Sequence, residues 1–464
     1  MDIEELLAYR KDLLEDCTDE EGFITESTFL EYILPMINES KLIDSEDYAD
    51  CYYHYESENI KLNGYNFNET GERLQLFLIN EDSISTYADE DKLKISKKVY
   101  YDNQFSRCIR FVNNTVNRNL FDDIQDSHPV KSIISFLSSE KGISQVDVIE
   151  IFLISASVTI ETRSSSPELK RIDFKDESIA VQKVKSGKSE EKEFLIKKKL
   201  IDLNFLESIL ASQGSREPLL IDFKANFGSS LKCVVAAIEE KYDCYLTVLP
   251  AKILQELYRL HSTRLLEKNV RSFLQFRGAN QKIKKTLLDE PDHFLAYNNG
   301  LTITASEAIV EESNGVTNII ALKDFQIVNG GQTTAAIYFA LKETRYDIDK
   351  VKVPAKISIL KSNDDEENDE LITNISIFSN SQSKVSNVDL SSRNNYLIKI
   401  KSLSNTTSTP LGTKWFFERA RGEVNTLIRK YKNRKAFLEK EYPRKRRMTK
   451  EQLAKYYVSW GEQP

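Results

Sequence analysis

The first part of the chain shows apolar residues at two spacings, one typical of a helix and one typical of a strand. Residues 26–38 (ESTFLEYILPMIN) place apolar side chains at the spacing of one helix face, although Pro35 favours a kink or an end there. IKLNGYNF and ERLQLFLI alternate apolar and polar residues around Asn-Glu-Thr-Gly, where Gly71 suits a positive φ. This order predicts an N-terminal α-β-β unit.

The next stretch mixes apolar and charged positions. Residues 96–121 and 129–160 do so at helical intervals, which predicts mostly helices. Residues 164–199 are polar and highly charged, which is typical of an exposed hairpin or a linker. We therefore expect a domain boundary close to this segment.

From residue 217 the pattern changes to apolar strands separated by amphipathic helices. PLLIDFKANF, CYLTVLPA and VKVPAKISIL are strand-like, KILQELYRLHSTRLLE fits a helix, and FQIVNGGQTTAAIYFALKE predicts a strand, a glycine turn and a helix. The expected fold class is α/β (α+β): an N-terminal α-β-β unit with helices, a larger mixed α/β domain and a helical, basic C-terminal segment. The predicted domains are 1–163, a linker or exposed hairpin region at 164–216, and 217–464.

The composition of the chain argues against several classes of protein. No stretch approaches the roughly 18 consecutive apolar residues of a membrane span, and the acidic N-terminus lacks the features of a secretory signal. The five cysteines are far apart and the four histidines form no paired motif, so no metal site is predicted and the thiols are expected to be free. We expect a cytoplasmic protein with no membrane partner.

Charge is distributed unevenly along the chain. Residues 1–60 carry 18 Asp or Glu against 3 Lys or Arg, whereas residues 414–455 carry 15 Lys or Arg against 5 Glu. The densest basic run is Arg444, Lys445, Arg446 and Arg447. Such a run can bind a nucleic-acid backbone, or it can be a solvated face that balances the acidic N-terminus.

The glycine turn near the middle of the second half is the segment richest in chemical information. It consists of Asn329, Gly330, Gly331, Gln332, Thr333 and Thr334. A strand followed by two glycines and a helix presents helix N-terminal amides, which can hold an anion such as phosphate. The alternative is a structural turn in which Thr333 or Thr334 caps the helix.

Several strings in this chain resemble the abortive infection phage resistance (AIPR) family and occur in its order. They are KLNGYNFNETGERLQLFL, RLLEKNVRSFLQFRGANQKIKKTL, FLAYNNGLTITA, QIVNGGQTT, FSNSQSKVSNVDL, TPLGTKWFFERARG and MTKEQLAKYYVSW. Together they span residues 60 to 460. The resemblance implies an antiphage defence protein that works with other defence proteins, and it leaves a homo-oligomer open.

The core strings also resemble ParB and sulfiredoxin-like domains of the DGQHR type. Asn329 stands where that group has an acid, and Thr333 or Thr334 stands near its arginine, so nucleotide hydrolysis is not carried over. Beyond the glycine turn, the expected phosphate- or nucleotide-binding residues are Arg271, Asn298, Asn299, Asn380 and Gln382. Arg271 can supply a bidentate cation or pair with Glu267 on the same helix. The side-chain amides of Asn298 and Asn299 can contact a base or a phosphate, or the two residues can simply form a turn.

A second nucleic-acid candidate lies where aromatic and basic residues mix. Trp415, Phe416, Phe417, Arg419 and Arg421 have the composition of a surface that stacks bases and contacts phosphates. They can equally be core aromatics with arginines directed outward. We expect Trp415 and Phe417 in the core, and Arg419 and Arg421 at a nucleic acid.

The N-terminal α-β-β unit resembles the start of a restriction-endonuclease-like core. There, a helix glutamate, a strand aspartate and an acid-x-lysine strand position a metal and a water. Glu31 lies on the candidate helix, but Asn63 occupies the aspartate position and the second strand has no acid and lysine at alternate positions. Because a neutral amide is a poor substitute for a carboxylate, we predict a degenerate, inactive site.

Three functions follow from these patterns. The preferred one is a defence protein that binds nucleotide or nucleic-acid phosphate at the glycine turn. The alternatives are a nuclease that cleaves phage or host nucleic acid from the α/β domain, and a non-enzymatic scaffold or sensor subunit. Whether the chain is a nuclease or a nucleotide hydrolase stays open, as does a divalent metal or nucleotide as cofactor.

Overall fold

The computed structural model divides into two units, residues 1–217 and 218–464, which are described separately. The described residues are 3–18, 23–40, 42–68, 70–85, 93–117, 120–161, 168–169, 172–185, 188–211, 219–266, 279–343, 347–362, 364–380, 399–401, 403–404, 413–418 and 440–460. Within these ranges, no helix has both the length and the apolar character to cross a bilayer.

The first unit contains a sheet with helices on both faces. Its helices are α1 (Ile3–Asp16), α2 (Glu26–Glu39), α3 (Glu81–Ile84), α4 (Lys98–Val116), α5 (Lys131–Leu137), α6 (Glu140–Gln145) and α7 (Leu203–Ala211). Its strands are β1 (Ala49–Tyr55), β2 (Ile60–Phe67), β3 (Arg73–Ile79), β4 (Val148–Ile154), β5 (Ile160–Glu161), β6 (Glu168–Leu169), β7 (Glu177–Lys185) and β8 (Lys188–Ile201). The predicted helix and hairpin are confirmed in α2, β2 and β3. Helix α2 continues through Pro35, and Gly71 adopts a φ of 78°.

The main sheet of this unit has the strand order β1-β2-β3-β4-β8-β7. Strands β1 to β3 are antiparallel, β3, β4 and β8 run parallel, and β7 returns antiparallel to β8. Successive side chains of β3 point to opposite faces, so Leu76 joins the core with α4 while Phe77 joins the core with α1 and α2. Both faces are therefore buried.

Strand β4 overturns part of the sequence interpretation. The prediction of mostly helices for residues 129–160 holds for α5 and α6 but is wrong for VIEIFLI, which forms β4 between two parallel neighbours. A strand buried on both faces has a nearly continuous apolar run, here interrupted only by Glu150, so periodicity cannot separate it from a buried helix. The region 164–216 contains the β7–β8 hairpin, whose Phe194 is fully buried.

The second unit is also mixed α/β, which confirms the predicted fold class. Its helices are α8 (Phe223–Phe227), α9 (Ala251–His261), α10 (Ala279–Asp289), α11 (Phe294–Tyr297), α12 (Gly331–Glu343), α13 (Asp365–Asn380) and α14 (Lys450–Trp460). Its strands are β9 (Ile221–Asp222), β10 (Leu231–Ile238), β11 (Tyr242–Pro250), β12 (Leu301–Ala305), β13 (Glu307–Ser313), β14 (Val316–Lys323), β15 (Gln326–Asn329), β16 (Lys352–Leu360), β17 (Phe416–Glu418) and β18 (Arg447–Thr449).

Most strands of the second unit form one sheet in the order β13-β14-β10-β11-β16-β12-β15, with β9 beside β14. Helices α9, α10 and α12 pack on one face, and α13 covers part of the other through Ile372, which contacts Val328 and Leu360. The predictions for β11, β15, β16, α9 and α12 are confirmed. PLLIDFKANF is mostly not a strand, because the side chain of Asp222 caps α8 immediately after β9.

Candidate functional site

The glycine turn joins β15 to α12, as the sequence predicts. Gly330 lies between the strand and the helix with a φ of 88°, and Gly300, just before β12, has a φ of 82°. A Cβ on Gly330 would lie 2.4 Å from Cδ2 of Leu301 and 2.7 Å from the carbonyl oxygen of Gly300. Glycine is therefore required here both by the backbone conformation and by the close approach of the preceding loop.

Asn298 connects that preceding loop to the helix. Its Nδ2 donates to Oγ1 of Thr333 at 3.2 Å, and its Oδ1 accepts the amide of Gly300 at 2.9 Å. The neighbouring Asn299 is exposed to solvent. Asn298 thus shapes the loop, as the turn interpretation predicts, and the binding role of Asn299 stays a prediction.

The start of α12 leaves backbone donors available. The amides of Thr333 and Thr334 both donate to the carbonyl of Gly330. Among the described residues, no acceptor is present for the amides of Gly331 and Gln332. Two amides with no acceptor among the described residues, together with the positive end of a helix dipole, favour a negative charge at this position. The side chain of Thr334 is fully buried and therefore does not face a ligand arriving from solvent.

Asn329 links the turn to the end of α13. Its Nδ2 donates to the carbonyl of Ser379 at 2.7 Å, which places the backbone of Asn380 close to the glycine turn. Three separate sequence segments with predicted site residues therefore meet at one end of the sheet. Arg271, Gln382 and the side chain of Asn380 lie outside the described residues.

The basic C-terminal run divides into two pairs. Arg444 and Lys445 are exposed in a short turn before β18. Arg446 and Arg447 are only partly exposed, and Nε of Arg447 donates to the carbonyl of Tyr442 at 2.8 Å. Arg444 and Lys445 thus present their charges to solvent most fully.

The aromatic residues beside this run occupy different environments. Phe417 is buried as predicted, whereas Trp415 is 40 % exposed, so its assignment to the core is wrong. The guanidinium of Arg446 lies over the Trp415 ring, 5.3 Å from its centroid, and this cation–π contact stabilises the ring at the surface. Arg419 and Arg421 lie outside the described residues.

The first unit contains a buried ion cluster that the sequence interpretation missed. The ammonium of Lys61, on β2, lies 2.6 Å from Oε2 of Glu26 and 2.5 Å from Oε2 of Glu81. It also donates to the carbonyl of Ile79 at 3.1 Å. Because the Lys61 side chain is 1 % exposed, these oxygens replace its hydration almost completely.

Asn63 and its partner glutamate belong to the same cluster. Nδ2 of Asn63 donates to Oε2 of Glu26 at 2.7 Å, and its Oδ1 accepts the amide of Ile79 at 2.8 Å. The helix carboxylate facing Asn63 is therefore Glu26, in the first turn of α2, whereas Glu31 is exposed. Lys61 stands at a polar position of an alternating strand, which is typical of an exposed lysine, so the local pattern gave no signal of its burial.

Glu81 stays ionised to low pH. Burial would raise its pKa, but the hydrogen bond and charge of Lys61 outweigh this, and together with Arg107 they lower the pKa of Glu81 to about 2. Nη1 of Arg107 lies 2.9 Å from Oε1 of Glu81, and its Nη2 lies 2.9 Å from Nε2 of His54. Each oxygen of the Glu81 carboxylate thus has its own cationic partner.

A cavity of about 280 Å³ opens beside this cluster at the start of α2. Its lining includes Glu26, Tyr48, Asp50, Tyr52 and Asn63. Carboxylates and phenol rings in its wall make it unfavourable for phosphate. Over the part of the chain that the structure describes, no group of three or more His, Cys, Asp or Glu side chains is arranged to hold a metal.

The cysteines offer no reactive thiolate at neutral pH. All five are free and buried, and burial raises the pKa of each thiol, to about 12 for Cys17 and Cys51. Thiols with raised pKa values are poor nucleophiles. They act as small apolar side chains in the cores.

Comparison with known proteins gives two family matches. Residues 29–183 match the abortive infection phage resistance protein N-terminal domain, and residues 266–464 match the AIPR protein family. No curated protein and no solved structure matches the chain. The resemblance to ParB and sulfiredoxin-like domains therefore stays a prediction.

Proposed function

Since this chain belongs to the AIPR family, we propose that its second unit binds the phosphate of a nucleotide or nucleic acid at the start of α12. The two family domains indicate an abortive-infection phage-resistance protein. The ligand and its site are our proposal, which rests on the geometry of the glycine turn.

The supporting observation is the pair of amides at Gly331 and Gln332, for which no acceptor is present among the described residues. A glycine immediately before them leaves no side chain to block a close approach, which is how helix N-termini accept phosphate oxygens. The adjoining loop also carries Asn299, which is exposed to solvent and follows Asn298 directly in sequence. Because these donors carry no charge, they suit an anion that stays partly hydrated when it is bound.

Gln332→Glu tests this site with little risk to the fold. A carboxylate in the first turn of α12 stabilises the helix by about 0.3–1 kcal/mol, yet it repels an anion at the same place. We expect this variant to lose thermal stabilisation by ATP and to bind a labelled oligonucleotide more weakly at about 50 mM salt. Gln332→Met has the same length without charge, and it should retain most of the binding.

The outcomes separate the candidate functions. Equal binding by Gln332→Glu and the parent would place the phosphate site elsewhere. Cleavage of the oligonucleotide in Mg²⁺ or Mn²⁺ would support the nuclease alternative. Absence of any stabilisation by nucleotide or nucleic acid in the parent would leave the scaffold or sensor role.

A further inference from the structure

The Lys61 ammonium lies in an oxygen cage of the kind that holds a metal ion. Oε2 of Glu26, Oε2 of Glu81 and the carbonyl of Ile79 surround Nζ at 2.6, 2.5 and 3.1 Å. We propose that this ammonium takes the place of a divalent cation, so that the first unit carries a cation of its own at this position and binds no metal there.

The ligand chemistry supports this assignment. Carboxylate and carbonyl oxygens are the ligands of hard cations, and Ca²⁺ binds them at about 2.3–2.6 Å. The two carboxylate distances from Nζ fall within that range. A divalent ion placed at Nζ would need only a small movement of the Ile79 carbonyl, and water could complete its coordination.

The cage has supports that do not depend on Lys61. Glu26 accepts a hydrogen bond from Asn63 at 2.7 Å, and the second oxygen of Glu81 is held by Arg107 at 2.9 Å. Removing the ammonium would therefore leave both carboxylates close to their present positions. With Lys61 absent, the two carboxylates and Arg107 carry a net charge of about −1, which favours uptake of a cation.

Lys61→Ala in the full chain is the direct test. The truncation leaves an empty space between the oxygens, and we expect Mn²⁺ to bind there, seen as loss of the free Mn²⁺ signal in electron paramagnetic resonance. The melting temperature should fall in EDTA and rise on addition of Mn²⁺. The parent protein should show neither response.

Three controls identify the ligands. Lys61→Met fills the space with an apolar chain and should bind no Mn²⁺, and adding Glu81→Gln to Lys61→Ala should weaken Mn²⁺ binding. Lys198→Ala removes a lysine of the same sheet that lies 2.6 Å from the carboxylate of Glu177, and it should gain no site.

Each outcome either supports or overturns the proposal that the Lys61 ammonium takes the place of a divalent cation. A folded Lys61→Ala that ignores Mn²⁺ would overturn the proposal, and so would Mn²⁺ binding that persists unchanged in Lys61→Ala/Glu81→Gln. Failure of Lys61→Ala to fold with Mn²⁺ present would show that a metal cannot replace the ammonium. These results are independent of ligand binding at α12.

Discussion

Asn63 uses both ends of its amide in the interior of the first unit. Its NH₂ group donates to Glu26, and its carbonyl accepts the amide of Ile79. An aspartate at this position could keep only the second bond, and it would place a carboxylate against Glu26. The residue at the predicted aspartate position is therefore also a residue that the surrounding ion cluster requires.

Asn63→Asp should destabilise the first unit and create no metal site. We expect the free energy of unfolding at neutral pH to fall by about 1.5–3 kcal/mol, because a buried hydrogen bond to a charged group is lost. The pKa of the introduced carboxyl should be raised by Glu26, so the deficit is present above that pKa and shrinks as the pH falls through it. Urea denaturation followed by circular dichroism at pH 7 and below pH 5 measures both effects.

A neighbouring asparagine provides the control for this change. Nδ2 of Asn66 is buried without a hydrogen-bond partner among the described residues, and its Oδ1 accepts the amide of Phe67. Asn66→Asp introduces the same buried charge but removes no donated hydrogen bond. If Asn66→Asp lowers the free energy of unfolding as much as Asn63→Asp does, the hydrogen bond from Asn63 to Glu26 makes no specific contribution to stability.

At the scale of elements, two glycines bring the ends of β12 and β15 together. Gly300 is packed against Pro354, whose carbonyl would lie 2.5 Å from an added Cβ, and Gly330 is packed against Leu301. The resulting closeness of the two loops lets Asn298 reach Thr333. The conformation of the candidate site thus depends on backbone positions that other residues cannot adopt without strain.

Gly330→Ala should therefore destabilise the second unit strongly. A left-handed conformation costs a non-glycine residue about 1–2 kcal/mol, and forcing a methyl group into packed surroundings adds about 1–3 kcal/mol. Gly315→Ala is a matched control, because Gly315 also has a positive φ but has nothing within 4 Å of its Cβ position. Gly315→Ala should lose only the stability that the left-handed conformation costs, about 1–2 kcal/mol.

Tryptophan fluorescence measures this difference in urea. Both tryptophans, Trp415 and Trp460, belong to the second unit. Equal shifts of the unfolding midpoint in the two variants would contradict the packing argument and leave only the backbone effect.

The elements that the sequence predicted are those with a clear helical period or with turn residues beside them, even where, as in β3, both faces are buried. Helix α2, the β2–β3 hairpin and the β15–α12 connection have clear periods or turn residues, and the structure confirms them. Strand β4 was missed because both of its faces are buried, which removes the alternation on which the prediction depends. Local patterns thus predict an element but not its neighbours in the sheet.

The candidate sites were predictable to different degrees. The glycine turn could be predicted because a strand, two glycines and a helix are adjacent in sequence. The Lys61 cluster could not, because Glu26 and Glu81 are 35 and 20 residues away from Lys61 and meet it only when β2 pairs with β3 and α2 packs on the sheet. Pairing of distant charges follows from the tertiary fold, which local periodicity does not encode.

For the whole molecule, net charge and its distribution along the chain can be read directly from the sequence. The formal charge of −8 combines an acidic N-terminal stretch with a basic C-terminal one. Net charge therefore understates the attraction that the exposed basic residues can exert on a nucleic acid at short range. Weak, salt-dependent binding that is insensitive to base sequence is the expected behaviour.

Arg444→Ser/Lys445→Ser should flatten the salt dependence of oligonucleotide binding. Each neutralised phosphate contributes about 0.9 to the log-log slope on duplex DNA, so losing two contacts should reduce it by up to about 1.8. Fluorescence anisotropy over a range of salt concentrations gives the slope. Arg446→Ser/Arg447→Ser is the comparison, and it should change the slope less because Trp415 and Tyr442 engage those guanidiniums. Identical slopes in all three proteins would show that this run does not contact phosphate.

The three parallel strands at the centre of the first unit also govern the order in which the chain can fold. Strand β4 pairs on one side with β3 and on the other with β8, whose residues 195–201 are made nearly 50 residues later. Until β8 emerges from the ribosome, β4 presents an apolar edge with unpaired backbone groups, which is a template for aggregation. A chain released after residue 163 would keep that edge permanently. Synthesis through β8 is therefore the step that converts the nascent first unit from an aggregation-prone sheet into one whose central strands are all paired.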